Sequence, residues 1–127
     1  MDTKNTEKIT SFTQLNAWKE SHKLVLQIYQ QTKLFPKDEI MGLTSQIRRA
    51  VVSITSNIAE GFGRKSAKEK IRFYYIAQGS LTEIQNQLLI ARDLNYIDQT
   101  TFLEIANQST VCQKLLCGLI RSIPNKS

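Results

Sequence analysis

The stretch from Gly61 to Ser66 has the sequence GFGRKS, and its glycines and lysine are residue types that cradle phosphate in nucleotide-binding loops. A Walker A loop needs four residues between its first glycine and a Gly-Lys pair, but here a single residue separates Gly61 from Gly63, and Arg64 follows. A dinucleotide-binding fingerprint would need a third glycine where Ser66 stands. We therefore interpret the stretch as a turn in which Gly61 or Gly63 takes the left-handed conformation that ends a helix, and Ser66 begins the next.

The remaining reactive residue types form no catalytic or metal-binding pattern. His22 is the single histidine, and its neighbours lack a metal-ligand spacing such as H-x-x-x-H. Cys112 and Cys117 lie five positions apart on one predicted helix, so their side chains would point about 140° away from each other. We interpret both as small core or surface thiols. The expectation is therefore no catalytic residue, no metal and no cofactor, in a protein that is not an enzyme.

The positive charge of the chain is concentrated around the same turn. The formal net charge is +6, and residues 48–72 alone carry seven positive and two negative side chains. A concentrated basic patch attracts polyanions, above all nucleic acid. The alternative is a solvated face with local ion pairs. The predicted nucleic-acid-binding residues are Arg64, Lys65, Lys68, Lys70 and Arg72.

A polar stripe precedes the turn at helical spacing, and antiparallel pairing would set it against Gly79, Ser80 and Glu83. We expect a half-buried network that fixes the register of two helices, with a ligand site as the alternative. Removing Glu83 would then cost about 3 kcal/mol or more. Gly79 would compensate its poor helix propensity by close helix contact or by making room for an arginine. The predicted network comprises Arg48, Arg49, Ser53, Asn57, Glu60, Ser80 and Glu83.

These side chains must be positioned by helices, because apolar residues recur at three- and four-residue steps in four segments. The first predicted helix runs from about residues 13–16 to Leu34, before the Phe35-Pro36 pair. The second is capped by Asp38 and stops at Gly61. The third begins at Ser66, in a capping box with Glu69, and ends near residue 95. Asp98 caps the fourth.

Helices joined by short turns predict an all-α fold, an up-down-up-down antiparallel four-helix bundle over residues 12–122. Residues 1–11 and 123–127 are expected to be frayed. No apolar run is long enough to cross a bilayer and the N-terminus has no apolar signal region, so we expect a cytoplasmic protein. Apolar residues on more than one face of a helix indicate surface beyond one core and hence association: Leu24 and Leu26 in the first helix, Leu89 and Ile90 in the third.

Several motifs occur in an order that resembles a known family. They are Phe12-x-x-Leu15-x-x-Trp18-Lys19, Phe35-Pro36-x-x-Glu39, Gly42-Leu43-x-x-Gln46-Ile47-Arg48-Arg49-Ala50, Ser53-Ile54-x-x-Asn57-Ile58-Ala59-Glu60-Gly61 and Ala77-x-Gly79-Ser80-Leu81-x-Glu83. Together they resemble the four-helix bundle proteins encoded in intervening sequences of bacterial large-subunit (23S) ribosomal RNA genes, also labelled S23-type. The accessory variability determinant of diversity-generating retroelements is a relative of that family.

The resemblance implies a homopentamer, a ring with a central channel, without known catalytic activity. For the retroelement relative it implies basic surfaces that bind nucleic acid and a reverse transcriptase. The leading expectation is a non-enzymatic oligomer that binds RNA or DNA through phosphates, without sequence specificity. The alternative is a protein-interaction scaffold, with a reverse transcriptase or a ribosome-associated protein as partner, that does not contact nucleic acid.

Overall fold

The computed structural model describes residues 8–124 and contains four α-helices. They are α1 (Asn16–Thr32), α2 (Leu43–Gly63), α3 (Ala67–Asp93) and α4 (Gln99–Arg121). Two short 3₁₀ segments, Phe12–Gln14 and Lys37–Glu39, precede α1 and α2. No strand occurs among residues 8–124, so the all-α prediction is confirmed.

The helices form a closed antiparallel arrangement. Each helix packs against its neighbour in sequence and α1 packs against α4, while the diagonal pairs of described helices do not approach each other. Ser80 contacts Ser53 across α2 and α3, and Gly61 lies against Tyr74, so the two helices run in opposite directions. Gln108 bonds to Glu20 across α4 and α1. This is the predicted up-down-up-down bundle.

The apolar stripes of the four helices meet in one core. Leu24, Ile47, Ile54 and Ile84 are completely buried, and Tyr74 is 1% exposed. Full burial of one large aliphatic side chain stabilises the fold by about 1.5–3 kcal/mol. Leu24 belongs to this core because it falls on the same helical stripe as Ile28, whereas Leu26, on another face of α1, is 56% exposed.

The junction between α1 and α2 differs from the prediction. The first helix ends at Thr32 rather than Leu34. Asp38 does not cap α2, because it lies within the 3₁₀ segment and α2 begins only at Leu43. Glu39 takes that role, since its Oε1 accepts a hydrogen bond of 3.0 Å from the Leu43 amide. An acid in this position satisfies an amide that would otherwise lack a partner at the helix start.

The end of α2 also differs, because the helix continues through Gly61 to Gly63. No glycine among residues 8–124 has a positive φ, so the predicted left-handed glycine is wrong. Gly61 is buried, and a Cβ atom there would lie 2.5 Å from Cε1 of Tyr74. The glycine is required for close approach of α3, not for the turn.

The predicted starts of α3 and α4 are both confirmed. The Ser66 side chain accepts from the Glu69 amide at 3.1 Å, and the Asp98 carboxylate accepts from the Thr101 amide at 2.7 Å. This bond lowers the pKa of Asp98. Within the described chain the Glu69 side chain makes no return bond, so the capping box is half formed. Helix α3 ends before Asn95, whose φ of 62° is left-handed.

The described helices include none that is long and apolar enough to span a membrane. Residues 1–7 and 125–127 lie outside the described part of the chain, so the predicted fraying there stays a prediction.

Candidate nucleic-acid interface and the polar groove

Five basic side chains follow one another at the α2–α3 turn, and we call this set the basic turn: Arg64, Lys65, Lys68, Lys70 and Arg72. Arg64, Lys65, Lys68 and Arg72 are exposed, and Lys70 is half-buried. They lie close together because the turn is short and Ser66 starts α3 immediately after it. The turn therefore presents its charge at one end of the bundle.

Two of these arginines share one aromatic ring. The guanidinium carbon of Arg64 lies 4.6 Å from the centre of the Phe73 ring, and that of Arg72 lies 5.0 Å from it. Arg64 also bonds to Glu60 at 2.9 Å across one helical turn. An exposed pair of this kind contributes about 0–1 kcal/mol, so it orders Arg64 more than it stabilises the fold.

Lys70 has a different environment from the other four. Its Nζ donates to the carbonyl of Phe62 at 2.7 Å and to that of Gly61 at 3.3 Å. Both carbonyls belong to the last turn of α2, which carries the negative end of the helix dipole, and the Gly61 carbonyl also accepts from the Arg64 amide at 3.2 Å. Lys70 thus caps the C-terminal end of α2. Lys65, Lys68 and Arg72 have no hydrogen-bond acceptor among residues 8–124 and are free to bind an external anion.

The polar stripe of α2 is joined to α3 through hydroxyl groups. Ser80 Oγ lies 2.8 Å from Ser53 Oγ and donates to it. Asn57 Nδ2 donates to the Ser53 carbonyl at 2.8 Å and to Ser53 Oγ at 3.0 Å. The structure therefore brings together three of the seven residues of the predicted network.

The charged members of that network take no part in the hydrogen bonds between α2 and α3. Arg48 points toward α1, where its Nε donates to Thr32 Oγ1 at 2.8 Å. Arg49 and Glu83 are both exposed and form no ion pair with each other, while Glu60 pairs with Arg64. The predicted arginine–Glu83 contact is thus absent among the described residues. Successive helical residues differ by about 100°, so Arg48 and Arg49 cannot both face α3.

Gly79 has neither of the predicted contacts. It is exposed, and a Cβ atom built on it would meet nothing within 4 Å in the described chain. Neither close approach of another helix nor space for an arginine explains it.

Two grooves flank Arg49 on the surface of α2. One, of about 560 Å³, lies toward α1 and includes Tyr29, Arg48 and Arg49. The other, of about 420 Å³, lies between α2 and α3 and includes Arg49, Ser80 and Glu83. The polar stripe therefore lines surface grooves as well as joining the two helices.

Cys112 and His22 line neither of these grooves. Burial raises the pKa of the Cys112 thiol to about 11, which keeps it protonated at neutral pH. His22 stacks on Trp18 with ring centres 4.7 Å apart. Among residues 8–124 no three His, Cys, Asp or Glu side chains come together as a metal site.

Sequence reasoning missed the contacts that link distant segments. Tyr96 donates from its hydroxyl to Glu39 Oε2 at 2.8 Å, and the Arg48 guanidinium lies 4.7 Å from the centre of the Tyr29 ring. Phe35 and Tyr96 pack with ring centres 5.3 Å apart. No local pattern signals pairs separated by tens of residues. The one available clue was an acid, Glu39, shortly before an apolar stripe.

Residues 13–118 match the family model of the 23S rRNA-intervening sequence protein. The chain belongs to this family. No curated protein matches the chain in sequence. Among solved structures, this 23S rRNA-intervening sequence protein is similar to a protein of unknown function from the S23 ribosomal protein family of Bacteroides thetaiotaomicron VPI-5482. The two are 26% identical with a TM-score of 0.77, over 84% of this chain and 99% of the other. The expected family membership is confirmed.

Proposed function

We propose that this family member is a non-enzymatic, oligomeric protein that binds RNA or DNA electrostatically through the basic turn. The observation that carries the proposal is the exposure of Lys65, Lys68 and Arg72 without an acceptor among residues 8–124. Unpaired surface cations are the groups that neutralise phosphates and release counterions. Lys70 is the weakest contributor, because its ammonium group already bonds to α2. Recognition through phosphates alone carries no sequence preference.

Filter binding of a structured RNA at several salt concentrations tests this proposal. A K65Q/K68Q/R72Q variant should bind more weakly, and the dependence of log K on log salt should flatten by up to about 0.9 per lost phosphate contact. The matched control is K19Q/K33Q/K114Q, which removes the same charge from exposed lysines on other parts of the bundle. Equal losses in both variants, or no binding at low salt, would contradict the proposal.

Oligomerisation is the second part of the proposal, with a homopentamer as the expected assembly and the cytoplasm as its location. Large apolar side chains support it, since Leu26, Ile76, Leu89 and Ile90 are each at least 40% exposed in the single chain. Exposed apolar surface marks protein–protein contacts in other proteins.

The same exposed apolar side chains favour one alternative, a scaffold that binds a protein partner and leaves nucleic acid untouched. Such a complex would persist in a pull-down at high salt and after nuclease treatment, because apolar contacts are not screened by salt. A complex bridged by RNA would be lost under both conditions. The purified protein is also expected to leave ribosomal RNA uncleaved.

A further inference from the structure

The groove of about 560 Å³ between α2 and the end of α1 has the chemistry of an anion site. We call it the arginine groove and define it by six lining residues: Tyr29, Ser45, Arg48, Arg49, Val52 and Ser56. It lies on α2 about three to four helical turns before the basic turn. The two sets of residues do not overlap. Its volume falls in the range of small-ligand sites, roughly 300–1,000 Å³.

Arg48 is held in a fixed orientation in this groove. Its Nε donates to Thr32 Oγ1 at 2.8 Å, and Thr32 Oγ1 in turn donates to the Ile28 carbonyl at 2.8 Å. The guanidinium lies over the Tyr29 ring, 4.7 Å from its centre. Its two terminal nitrogens have no acceptor among residues 8–124, so an oriented pair of donors remains available.

The rest of the groove adds positive charge and hydroxyl groups. Arg49 lines the same groove and forms no ion pair within the described chain. Ser45 and Ser56 contribute hydroxyls that make no hydrogen bond to the described residues. No aspartate or glutamate of the described part of the chain lines this groove. Two guanidinium groups therefore face it without an opposing charge.

A half-buried arginine without a carboxylate is an unusual arrangement, because a desolvated charge is normally compensated by a partner. The planar guanidinium donates two parallel hydrogen bonds to phosphate, a bidentate geometry that a lysine cannot reproduce. Tyr29 and Val52 give the groove an apolar side, suited to an organic group attached to the anion. The arrangement thus fits a phosphate group carried by a small organic body.

We propose that the arginine groove binds the phosphate of a nucleotide-sized organic phosphate, with Arg48 and Arg49 as the phosphate ligands. A free nucleotide and one nucleotide of an RNA strand both carry this chemistry. The site shares no residue with the basic turn. The proposal therefore does not depend on the proposed RNA binding.

Isothermal titration of the full chain with uridine monophosphate tests the proposal, with uridine as the uncharged probe and a short oligouridylate as the strand. The monophosphate should bind and uridine should not. Arg49→Gln should weaken binding by about tenfold or more, the effect of losing one charge-assisted contact. Arg121→Gln, which removes the same charge from the exposed last turn of α4, should change the affinity less than about twofold.

The two phosphate sources give different results. Competition of the monophosphate with the oligouridylate for Arg49-dependent binding would show that a free nucleotide is sufficient. Arg49-dependent binding of the oligouridylate without binding of the monophosphate would support the same site with an RNA strand as the source of the phosphate. Equal weakening of monophosphate binding by Arg49→Gln and Arg121→Gln would overturn the proposal, since it indicates unspecific attraction. Failure of both probes to bind would overturn it too, as would an Arg49→Gln variant that changes only the oligomeric mass. K65Q/K68Q/R72Q should retain monophosphate binding even if it loses structured RNA.

Discussion

Gly61 shows how one residue can serve a different purpose from the one its neighbours indicate. It lies inside α2 and is buried, and its missing side chain allows the Tyr74 ring to lie against the helix backbone. The Tyr74 side chain is 1% exposed and packed on all sides, so it has little room to move away. The glycine therefore sets the distance between α2 and α3.

Gly61→Ala is expected to destabilise the protein by about 1–3 kcal/mol, the usual cost of overpacking a core. The added Cβ would lie 2.5 Å from Cε1 of Tyr74 and 3.2 Å from the Lys70 carbonyl oxygen. Thermal or urea unfolding measures the change. Gly63→Ala is the matched control, because a Cβ there meets nothing within 4 Å and should leave stability unchanged or raise it by up to about 1 kcal/mol. Equal effects of the two substitutions would contradict the close-approach role.

At the scale of the helices, the α2–α3 contact depends on hydroxyl groups and not on an ion pair. Ser80 is 7% exposed and donates to Ser53, whereas Glu83 is exposed and unpaired within the described residues. Ser80→Ala should therefore cost about 0.5–1.5 kcal/mol, the net value of a hydrogen bond. Glu83→Ala should change stability by less than about 0.5 kcal/mol, in contrast to the larger loss expected from the sequence. Chemical denaturation of both variants decides between the two arrangements.

Glu39 connects two loops at one end of the bundle. Its carboxylate accepts from the Leu43 amide at the start of α2 and from the hydroxyl of Tyr96, which follows α3. The bond from the Leu43 amide, followed by that from Tyr96, lowers the pKa of Glu39 below its ordinary value of 4.5. A lowered folded-state pKa means that the ionised carboxylate stabilises the fold.

The stabilisation from Glu39 should be complete above pH 4.5 and should be lost as the pH falls through the lowered folded-state pKa. Glu39→Gln should lower the melting temperature at pH 7, because it removes the negative charge and replaces one of the two accepting oxygens by an NH2 donor. The difference from the wild type should shrink as the pH falls below 4.5. Glu104→Gln, on the exposed side of α4, serves as control and should shift the melting curve little at any pH. A pH-independent loss at Glu39 would indicate packing alone.

At the scale of the whole molecule, the basic turn and the apolar pair Leu89 and Ile90 lie at opposite ends of α3. The basic turn concentrates charge at the start of the helix, while Leu89 and Ile90 are exposed near its end. Gly79 is an exposed residue of the same helix, and a Cβ atom built on it would meet nothing within 4 Å in the described chain. No contact within one chain therefore explains why this position is a glycine. These features fit an assembly in which neighbouring chains cover α3.

The wild-type protein is expected to have five times the 14.5 kDa mass of the single chain by light scattering. Leu89→Lys with Ile90→Lys should reduce this mass, because two charges would be buried against a neighbouring chain. Circular dichroism should remain helical, since both side chains lie outside the core. Gln30→Lys with Asn107→Lys adds the same charge to exposed polar positions of α1 and α4 as the control. A monomeric wild type would contradict the oligomer.

The amino-acid sequence by itself determined the helices, their order and the location of the charge. Apolar periodicity and the Ser66 and Asp98 caps act between residues at most four positions apart, so they are legible without a structure. Short turns then leave antiparallel neighbours as the simplest packing. The Gly61–Ser66 stretch was interpreted as a junction between helices for the same reason, because its spacing is local, and the structure places the end of α2 and the start of α3 there.

Only the tertiary structure decided what the side chains near the turn contact. Whether Arg48 faces Tyr29 or Ser80 depends on the rotation of α2 against two neighbours, and successive residues differ by about 100°. Lys70 caps the C-terminal end of α2, and the Tyr74 ring packs against Gly61. Both contacts depend on the distance between α2 and α3, which no local pattern encodes. The pairing of Glu39 with Tyr96 joins residues 57 positions apart. Such contacts are set by how the helices pack, and that is a property of the complete bundle.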